Sequence, residues 1–436
     1  MLIIISDLHF VDGTAGEHDV RWPAFKDVFL ADIKALSKHN GAKEIKLLLL
    51  GDIIDLLRTT KWLKTDVEDR PWGKNGLEDL INFDPKKGSK TEDHCKCILK
   101  DIIARNKETF GFFKNFRRYF KGLKTQLIYI PGNHDRLVNI YPSIRDEVTN
   151  ELGLTINDST VDGFSEENWR FRKFFQDNTY GVFARHGHEF DEFNYDSNDK
   201  DSSEGHYQVP VGDIMTTEIA VKIASLLLPA LENLPDSHQE DLRRFIFDID
   251  NIRPWTSIPG YLLTKFWNNQ IMREAIFCAL YTTFKDVSKI SFVRRWFFGH
   301  PLAVFRLFWD CLKGALNPPM LNSAPEDLYA RAASIDYFEK EKNYPFVLYG
   351  HTHSSKQVPL DRVKGVDPHY INTGTWRSHI SPLLDKSDFV SLKTMTYTVF
   401  YRADEHLSEP LGFDTWNGCR SVRGSQRSLG IGLPMN

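Results

Sequence analysis

Four apolar runs in this chain stop abruptly at turns that carry imidazole, carboxylate or amide groups. Leu2–Ile5 leads into Ser6-Asp7-Leu8-His9, and Leu47–Leu50 into Gly51-Asp52. Leu127–Ile130 leads into Pro131-Gly132-Asn133-His134-Asp135, and Phe346–Tyr349 into Gly350-His351-Thr352-His353. Short apolar runs bounded by Gly or Pro read as strands, and near-continuous apolarity is expected where helices cover both faces of a sheet. Each strand then delivers polar groups to its own C-terminal end, where open α/β sheets bind ligands. Tyr180–Ala184 repeats the design, running into Arg185-His186-Gly187-His188-Glu189.

The segments between have helical periodicity. Trp22–His39 places Phe25, Val28, Phe29, Ile33 and Leu36 on one face and is closed by Gly41. Thr91–Lys121 predicts one long helix with Ile98, Leu99, Ile102 and Ile103 together, and Pro142–Leu152 a short one. After Ile53–Arg58, the polar, Gly- and Pro-containing segment through Gly88 predicts a long surface loop. From Asp191 an acidic segment leads into a helical region with candidate helices Ile214–Glu232, Ser237–Asp248, Tyr261–Val287, Phe292–Leu316 and Pro325–Lys342. Strands resume at Phe346–Tyr349, Tyr370–Thr375 and Met395–Tyr401, and the Gly- and Ser-rich end reads as a loosely ordered tail. The expected class is α/β (α+β). A core formed by 1–190 and 344–402 is interrupted by a helical insertion or cap, 191–343, and followed by a tail, 403–436.

Composition narrows this picture. At 436 residues the chain is long enough for a core domain plus a second lobe. A net charge of -4 gives no prior for a polyanion-binding surface. The basic residues Lys114, Arg117, Arg118 and Lys121 complement a helix C-terminus, which weakens a nuclease reading of that cluster. Five cysteines without a paired framework fit reduced thiols in a cytoplasmic protein, and Cys95 and Cys97 read as helix positions. No signal peptide is expected, because the first apolar run lacks a basic leader and meets Asp7 at once. No stretch approaches the roughly 20 apolar residues of a membrane span. The aromatic residues from Phe292 to Trp309 read as the core of a helical subdomain. If they were exposed, Arg294 and Arg295 beside them would suit a helix lying on a membrane surface.

Pooled, the turns offer Asp7, His9, Asp52, Asn133, His186, His351 and His353. Carboxylate, imidazole and one carboxamide without thiolate suit catalytic Mn²⁺, Fe or Zn²⁺ rather than a structural zinc. Seven ligands are too many for one ion that keeps open positions. They suit two divalent ions sharing a carboxylate, at the roughly 3.5–4 Å spacing of two-metal hydrolases.

In order and spacing these blocks resemble the calcineurin-like metallophosphoesterases: Asp7-Leu8-His9, Gly51-Asp52, Gly132-Asn133-His134-Asp135, His186 and Gly350-His351-Thr352-His353. The resemblance covers the core and not the helical insertion. It implies a four-layer α-β-β-α sandwich and two divalent metal ions, Mn²⁺ first, with Fe or Zn²⁺ as alternatives. One ion would be held by Asp7, His9 and His353, the other by Asn133, His186 and His351, with Asp52 bridging them. The pair would activate a bridging hydroxide as nucleophile, His134 would act as general acid, and Asp135 would orient its imidazole. Both His186 and His188 are of ligand type, and the resemblance favours His186 because it precedes a glycine. Asp55 reads as a cap or as a carboxylate behind the ligands. Arg58 and Arg136, next to the turns, are candidates either for gripping a phosphate or for salt bridges to nearby carboxylates. The implied activity is phosphoester hydrolysis by a phosphodiesterase or pyrophosphohydrolase acting on a nucleotide, nucleic acid or lipid diphosphate. The rival from another class is a non-catalytic scaffold on the same fold.

Overall fold

The computed structural model describes residues 1–16, 20–81, 89–157, 160–162, 169–195, 208–231, 246–252, 269–290, 325–339, 344–362, 366–383, 388–405 and 412–422, with isolated positions 239, 242, 243 and 261. The chain forms two compact units. The larger comprises Met1–Ser225, Ala324–Arg377 and Met395–Asn417, and the smaller Leu226–Ser323, Ser378–Thr394 and Gly418–Asn436.

The larger unit is a mixed α/β structure with two mixed sheets. In the first, Leu2–Ile5, Glu44–Leu50 and Lys124–Ile130 run parallel, with Ile5 opposite Leu49 and Leu50 opposite Ile130. Phe389–Phe400 pairs antiparallel with Leu2–Ile5 through Thr398, Val399 and Phe400. The second sheet has the order Phe174–Asp177, Val182–Arg185, Phe346–Tyr349, His369–Asn372, Lys356–Pro359, and its three middle strands are parallel. Parallel strands end on one side of a sheet, so each sheet gathers its polar turns along one edge.

One buried cluster joins Leu2, Ile4, Leu48, Leu50, Ile128 and Ile130 of the first sheet to Val182, Ala184, Phe346, Leu348 and Ile371 of the second. Side chains alternate across a strand, so Ile3 and Ile5 point the other way, yet they are just as buried. That double burial is the reason the runs are apolar without alternation. On the outer face of the second sheet, Phe183, Val347, Tyr349 and Tyr370 pack on Tyr329, Ala332, Ala333 and Tyr337 of the helix Pro325–Glu339. Each such fully buried side chain contributes roughly 1.5–3 kcal/mol.

Several expectations are revised. The long helix expected over Thr91–Lys121 is three pieces, Lys90–Arg105, Lys107–Lys114 and Phe116–Tyr119. Asn106 and Asn115 break it: their side-chain amides donate to the carbonyls of Ile102 and Gly111, 2.7 and 2.9 Å away, while their backbones leave helical geometry. Cys95 is buried and Cys97 exposed on the first piece. The expected loop before Gly88 contains a helix, Lys74–Ile81. The tail holds a strand, Phe413–Val422, whose Trp416 stacks on Tyr397.

The expected insertion, 191–343, does not separate as a block. Residues 191–225 and 324–343 fall within the larger unit. Within that unit Asp213 pairs with Arg136 at 2.7 Å, Glu218 with Arg70, and Asp336 with Arg185 at 3.0 Å. Helical periodicity alone does not disclose such partners. Conversely, Ser378–Pro382 pairs with Phe389–Lys393 inside the smaller unit, where Tyr261 packs on Phe389 and Ile380 bridges Ile252. The smaller unit also contains the helix Gln270–Val287. Phe292–Leu316, with Arg294 and Arg295, lies outside the described residues. Among the described residues, no helix is long and apolar enough to cross a membrane.

The Arg70–Glu218 pair is buried, and Glu218 otherwise accepts only from Trp72 Nε1 at 3.2 Å among its hydrogen bonds here. Arg70→Ala would strand that carboxylate, a loss worth about 3–5 kcal/mol. The expected readout is a lower urea midpoint for the variant, and an unchanged midpoint would show that Glu218 finds water or another donor.

Candidate metal centre

The turns at the strand ends are laced together through their backbones. Asp7 N donates to Gly51 O at 3.0 Å and His9 N to Asp52 O at 2.9 Å. Gly350 N donates to His186 O at 2.9 Å, and His351 N to Asp7 Oδ2 at 3.1 Å. His134 N donates to Asp52 Oδ1 at 2.9 Å. The Asn372–Thr375 loop closes the ring: Thr375 Oγ1 donates to Asp7 O at 2.9 Å and Asn372 Nδ2 to Gly350 O at 2.8 Å.

Backbone strain is concentrated in the same place. Among the described residues, the non-glycine residues with positive φ are Asp7, His9, Asp52, His351 and His353, at 53°, 47°, 52°, 67° and 62°. Left-handed backbone costs roughly 1–2 kcal/mol for a residue bearing a Cβ. Such conformations persist where the surrounding structure over-determines them, and they cluster at functional sites. Every one of these residues is a proposed ligand. Two glycines allow the close approach: a Cβ on Gly51 would stand 2.3 Å from His186 Nδ1, and one on Gly132 2.3 Å from Asp52 Oδ1.

The side chains form three overlapping groups, two of which share Asp52, the third being His9, Asp55 and His134. In the first, His353 Nε2 lies 3.2 Å from Asp7 Oδ1 and 3.1 Å from His9 Nε2, and His9 Nε2 lies 3.6 Å from Asp52 Oδ2. In the second, His186 Nε2 lies 3.2 Å from the same Asp52 Oδ2, and His351 Nδ1 lies 3.1 Å from Asn133 Oδ1. Asp7, His9, Asp52 and His353, and separately Asp52, His186 and His351, each bring one donor atom within 4.8 Å of the others. Asp52 belongs to both.

The ring nitrogens indicate what the groups could hold. His186 Nδ1 is 3.0 Å from the Leu50 carbonyl, and His9 Nδ1 is 3.2 Å from Asp55 Oδ2. Those partners take the N–H of each neutral ring, which assigns the tautomer and leaves both Nε2 lone pairs directed at carboxylates. Lone pair against carboxylate is repulsive unless a cation or proton lies between. Buried His186 Nε2 and Asp7 Oδ1 have no aligned hydrogen-bond partner. Two donors each about 2.0–2.2 Å from a shared ion at near right angles stand about 3 Å apart, the separation found here. These buried His and Asp groups are close enough together to hold a metal ion.

The electrostatics point the same way. Burial pulls the His186 imidazole down, but Asp52 and Asp7 push it up to about 10. Burial likewise opposes, and Asp55 and Asp52 overcome it, to put His134 at about 9. Against the upward push of burial, His186 and His134 hold Asp52 well below the usual carboxylate range, and His134 and His9 do the same for Asp55. Without an ion, the carboxylates demand protons on the imidazoles. A bound cation meets the same demand, so metal uptake competes with protons.

His188 is buried and held neutral, first by burial and then by the neighbouring His186 and His351. It lies behind His186, 5.4 Å between ring centroids, and it is His186 that shares Asp52. Arg136 is committed to Asp213, and Arg58 is buried with its guanidinium packed over Gly16.

One assignment is corrected. Asp135, expected to orient His134, instead accepts from Tyr129 Oη at 2.7 Å, Ile53 N at 3.1 Å and Gly132 N. It is turned under the strand end, where burial and then Asp52 push it up to about 6. The carboxylate at His134 is Asp55, with Oδ1 3.1 Å from Nδ1. Asp55 also caps its own turn, accepting from Leu57 N and Arg58 N at 3.2 and 3.0 Å. Asp55→Asn is expected to lower divalent-metal affinity roughly 10- to 100-fold by loosening both imidazoles. Asp135→Asn should mainly lower the thermal midpoint while metal affinity per folded molecule persists. Equal losses of metal affinity in the two variants, measured by calorimetry, would contradict this division of labour.

Sequence reading missed Asp191, 3.0 Å from His351 Nε2, and Arg377, buried and near enough to His134 to oppose its protonation. Asp191 was legible only as part of an acidic run, and Arg377 carried no motif. In a scan against models of known protein families no model matches, and no curated protein matches either.

Proposed function

We propose that this chain is a di-metal phosphoester hydrolase of the calcineurin-like metallophosphoesterase type, built as that family's α-β-β-α sandwich. The observation that carries the reading is Asp52, a single carboxylate shared by two histidine-bearing groups whose bare ring nitrogens face it. Asp7, His9 and His353 would hold one ion, Asn133, His186 and His351 the other, with Asp52 common to both. Mn²⁺ suits this oxygen and imidazole set, with Fe or Zn²⁺ as alternatives.

Bound there, two divalent ions would lower the pKa of a shared water and neutralise charge on a phosphoryl group. The chain's own residues supply the rest. His134 is 16 % exposed, and the nitrogen not turned toward Asp55 is the one available to a substrate. It would deliver its proton to the leaving oxygen as the P–O bond breaks, with Asp55 stabilising the imidazolium beforehand. The substrate class is a phosphodiester or diphosphate of a nucleotide, nucleic acid or lipid.

The experiment is hydrolysis of bis-p-nitrophenyl phosphate beside p-nitrophenyl phosphate, with Mn²⁺ and after chelation. Metal-dependent preference for the diester supports the reading in full. Preference for the monoester keeps the hydrolase and overturns the diester assignment. Metal-independent turnover overturns the di-metal mechanism, and no turnover with metal bound overturns the enzyme reading.

A further inference from the structure

The half-site formed by Asn133, His186 and His351 is backed by a polar chain from the segment just after His186. Asp191 Oδ2 stands 3.0 Å from His351 Nε2, and Asn194 Nδ2 donates to that oxygen at 2.8 Å. Asn194 Oδ1 in turn faces Asn133 Nδ2 at 3.2 Å. Asp191 is pinned as well, its Oδ1 accepting from Phe193 N at 2.9 Å. Asn194 is backed by Gly212, where a Cβ would stand 2.2 Å from Asn194 Oδ1 and whose N donates to Phe193 O at 2.7 Å.

The consequence is chemical. A carboxylate at Nε2 takes the N–H of His351 and turns the Nδ1 lone pair inward. An amide oxygen at Asn133 Nδ2 settles the flip of that carboxamide and turns Oδ1 inward. The two inward atoms are 3.1 Å apart, both acceptors, with no hydrogen between them in this tautomer. Two lone pairs held face to face in this way form a cation site in waiting. The first half-site has a different support, Asp55 behind His9.

We propose that Asp191 and Asn194 are positioning residues that set the affinity of the second ion alone, by holding His351 Nδ1 and Asn133 Oδ1 as a preformed pair. The proposal rests on the di-metal reading. It makes the two half-sites separately tunable, the second through a segment that the family resemblance does not cover.

The test is titration of the full chain with Mn²⁺ by calorimetry, with metal content after gel filtration and the electron paramagnetic resonance spectrum as independent readouts. The variants are Asp191→Ala, the milder Asp191→Asn, and Asn194→Ala, each checked for wild-type circular dichroism. The expected result is two bound ions in the wild type. In Asp191→Ala and Asn194→Ala, one ion's affinity should fall about 10- to 100-fold while the other's is unchanged. Spin coupling between the ions should give way to a mononuclear signal at limiting metal, and Asp191→Asn should fall between. Two ions bound with wild-type affinity in Asp191→Ala would overturn the proposal, as would equal loss of both ions from a folded variant. A wild type that binds no Mn²⁺ would overturn the di-metal reading and this proposal with it. A wild type that binds two ions yet hydrolyses no phosphoester would overturn only the enzymatic reading, and the variant titrations would still decide this one.

Discussion

Asp52→Asn is expected to remove most bound divalent metal and nearly all phosphoester turnover in one step. Asp52 Oδ2 lies 3.2 Å from His186 Nε2 and 3.6 Å from His9 Nε2, so one carboxylate oxygen serves both groups. Its Oδ1 accepts from His134 N at 2.9 Å, which holds the third turn against the second. The amide retains the shape but removes the charge that both imidazoles face. Two ions at this site would supply several kcal/mol of transition-state stabilisation, so their loss would correspond to a rate loss of about a thousandfold or more. Metal content after gel filtration and turnover of the diester should fall together. Two ions retained in the variant would sink the shared role of Asp52. One ion retained would mean that it serves a single half-site.

His134→Ala is expected to separate metal binding from chemistry. His134 stands edge-on to His9, 4.8 Å between ring centroids, and groups with Asp55 and His9 rather than with the two sets that share Asp52. The variant should therefore keep both ions. Turnover should fall by roughly 10²- to 10⁴-fold for substrates with poor leaving groups, where protonation of the departing oxygen matters most. Activated aryl diesters should lose far less, because a stable phenolate departs without help. The measurement is the leaving-group dependence of kcat/KM across substituted phenyl diesters in both proteins. A uniform loss across the series would contradict the acid role and leave His134 as a group that stabilises charge on the phosphoryl oxygens.

The strands that carry the site were legible locally. Leu2–Ile5, Phe346–Tyr349 and most of Glu44–Leu50 announce themselves by apolarity on both faces, and their turns by the residues that follow. Pro142–Leu152 was legible at both ends, with Pro at its first turn and Gly153 closing it at φ 65°. The break at Asn106 was harder, because the same asparagine that interrupts a helix also occurs within helices. Only the amide's bond to Ile102 O decides between them.

The sequence alone determined the site's inventory: the apolar strands that lead to it, that their ends bear imidazole, carboxylate and amide groups, and which residues those are. Tertiary structure decided the partnerships. Asp55 rather than Asp135 meets His134, although Asp135 is the adjacent residue and Asp55 lies far along the chain. Asp191 reaches His351 across 160 residues, and His9 meets His353 across 344. The helices at 211–221 and 325–339 join the core through Arg136, Arg70 and Arg185 rather than the expected insertion. Apolar periodicity and turn propensity act over a few residues, so they are written locally. Which carboxylate turns toward which imidazole depends on sheet register and on the left-handed turns that register enforces, and both arise only when strands hundreds of residues apart are paired.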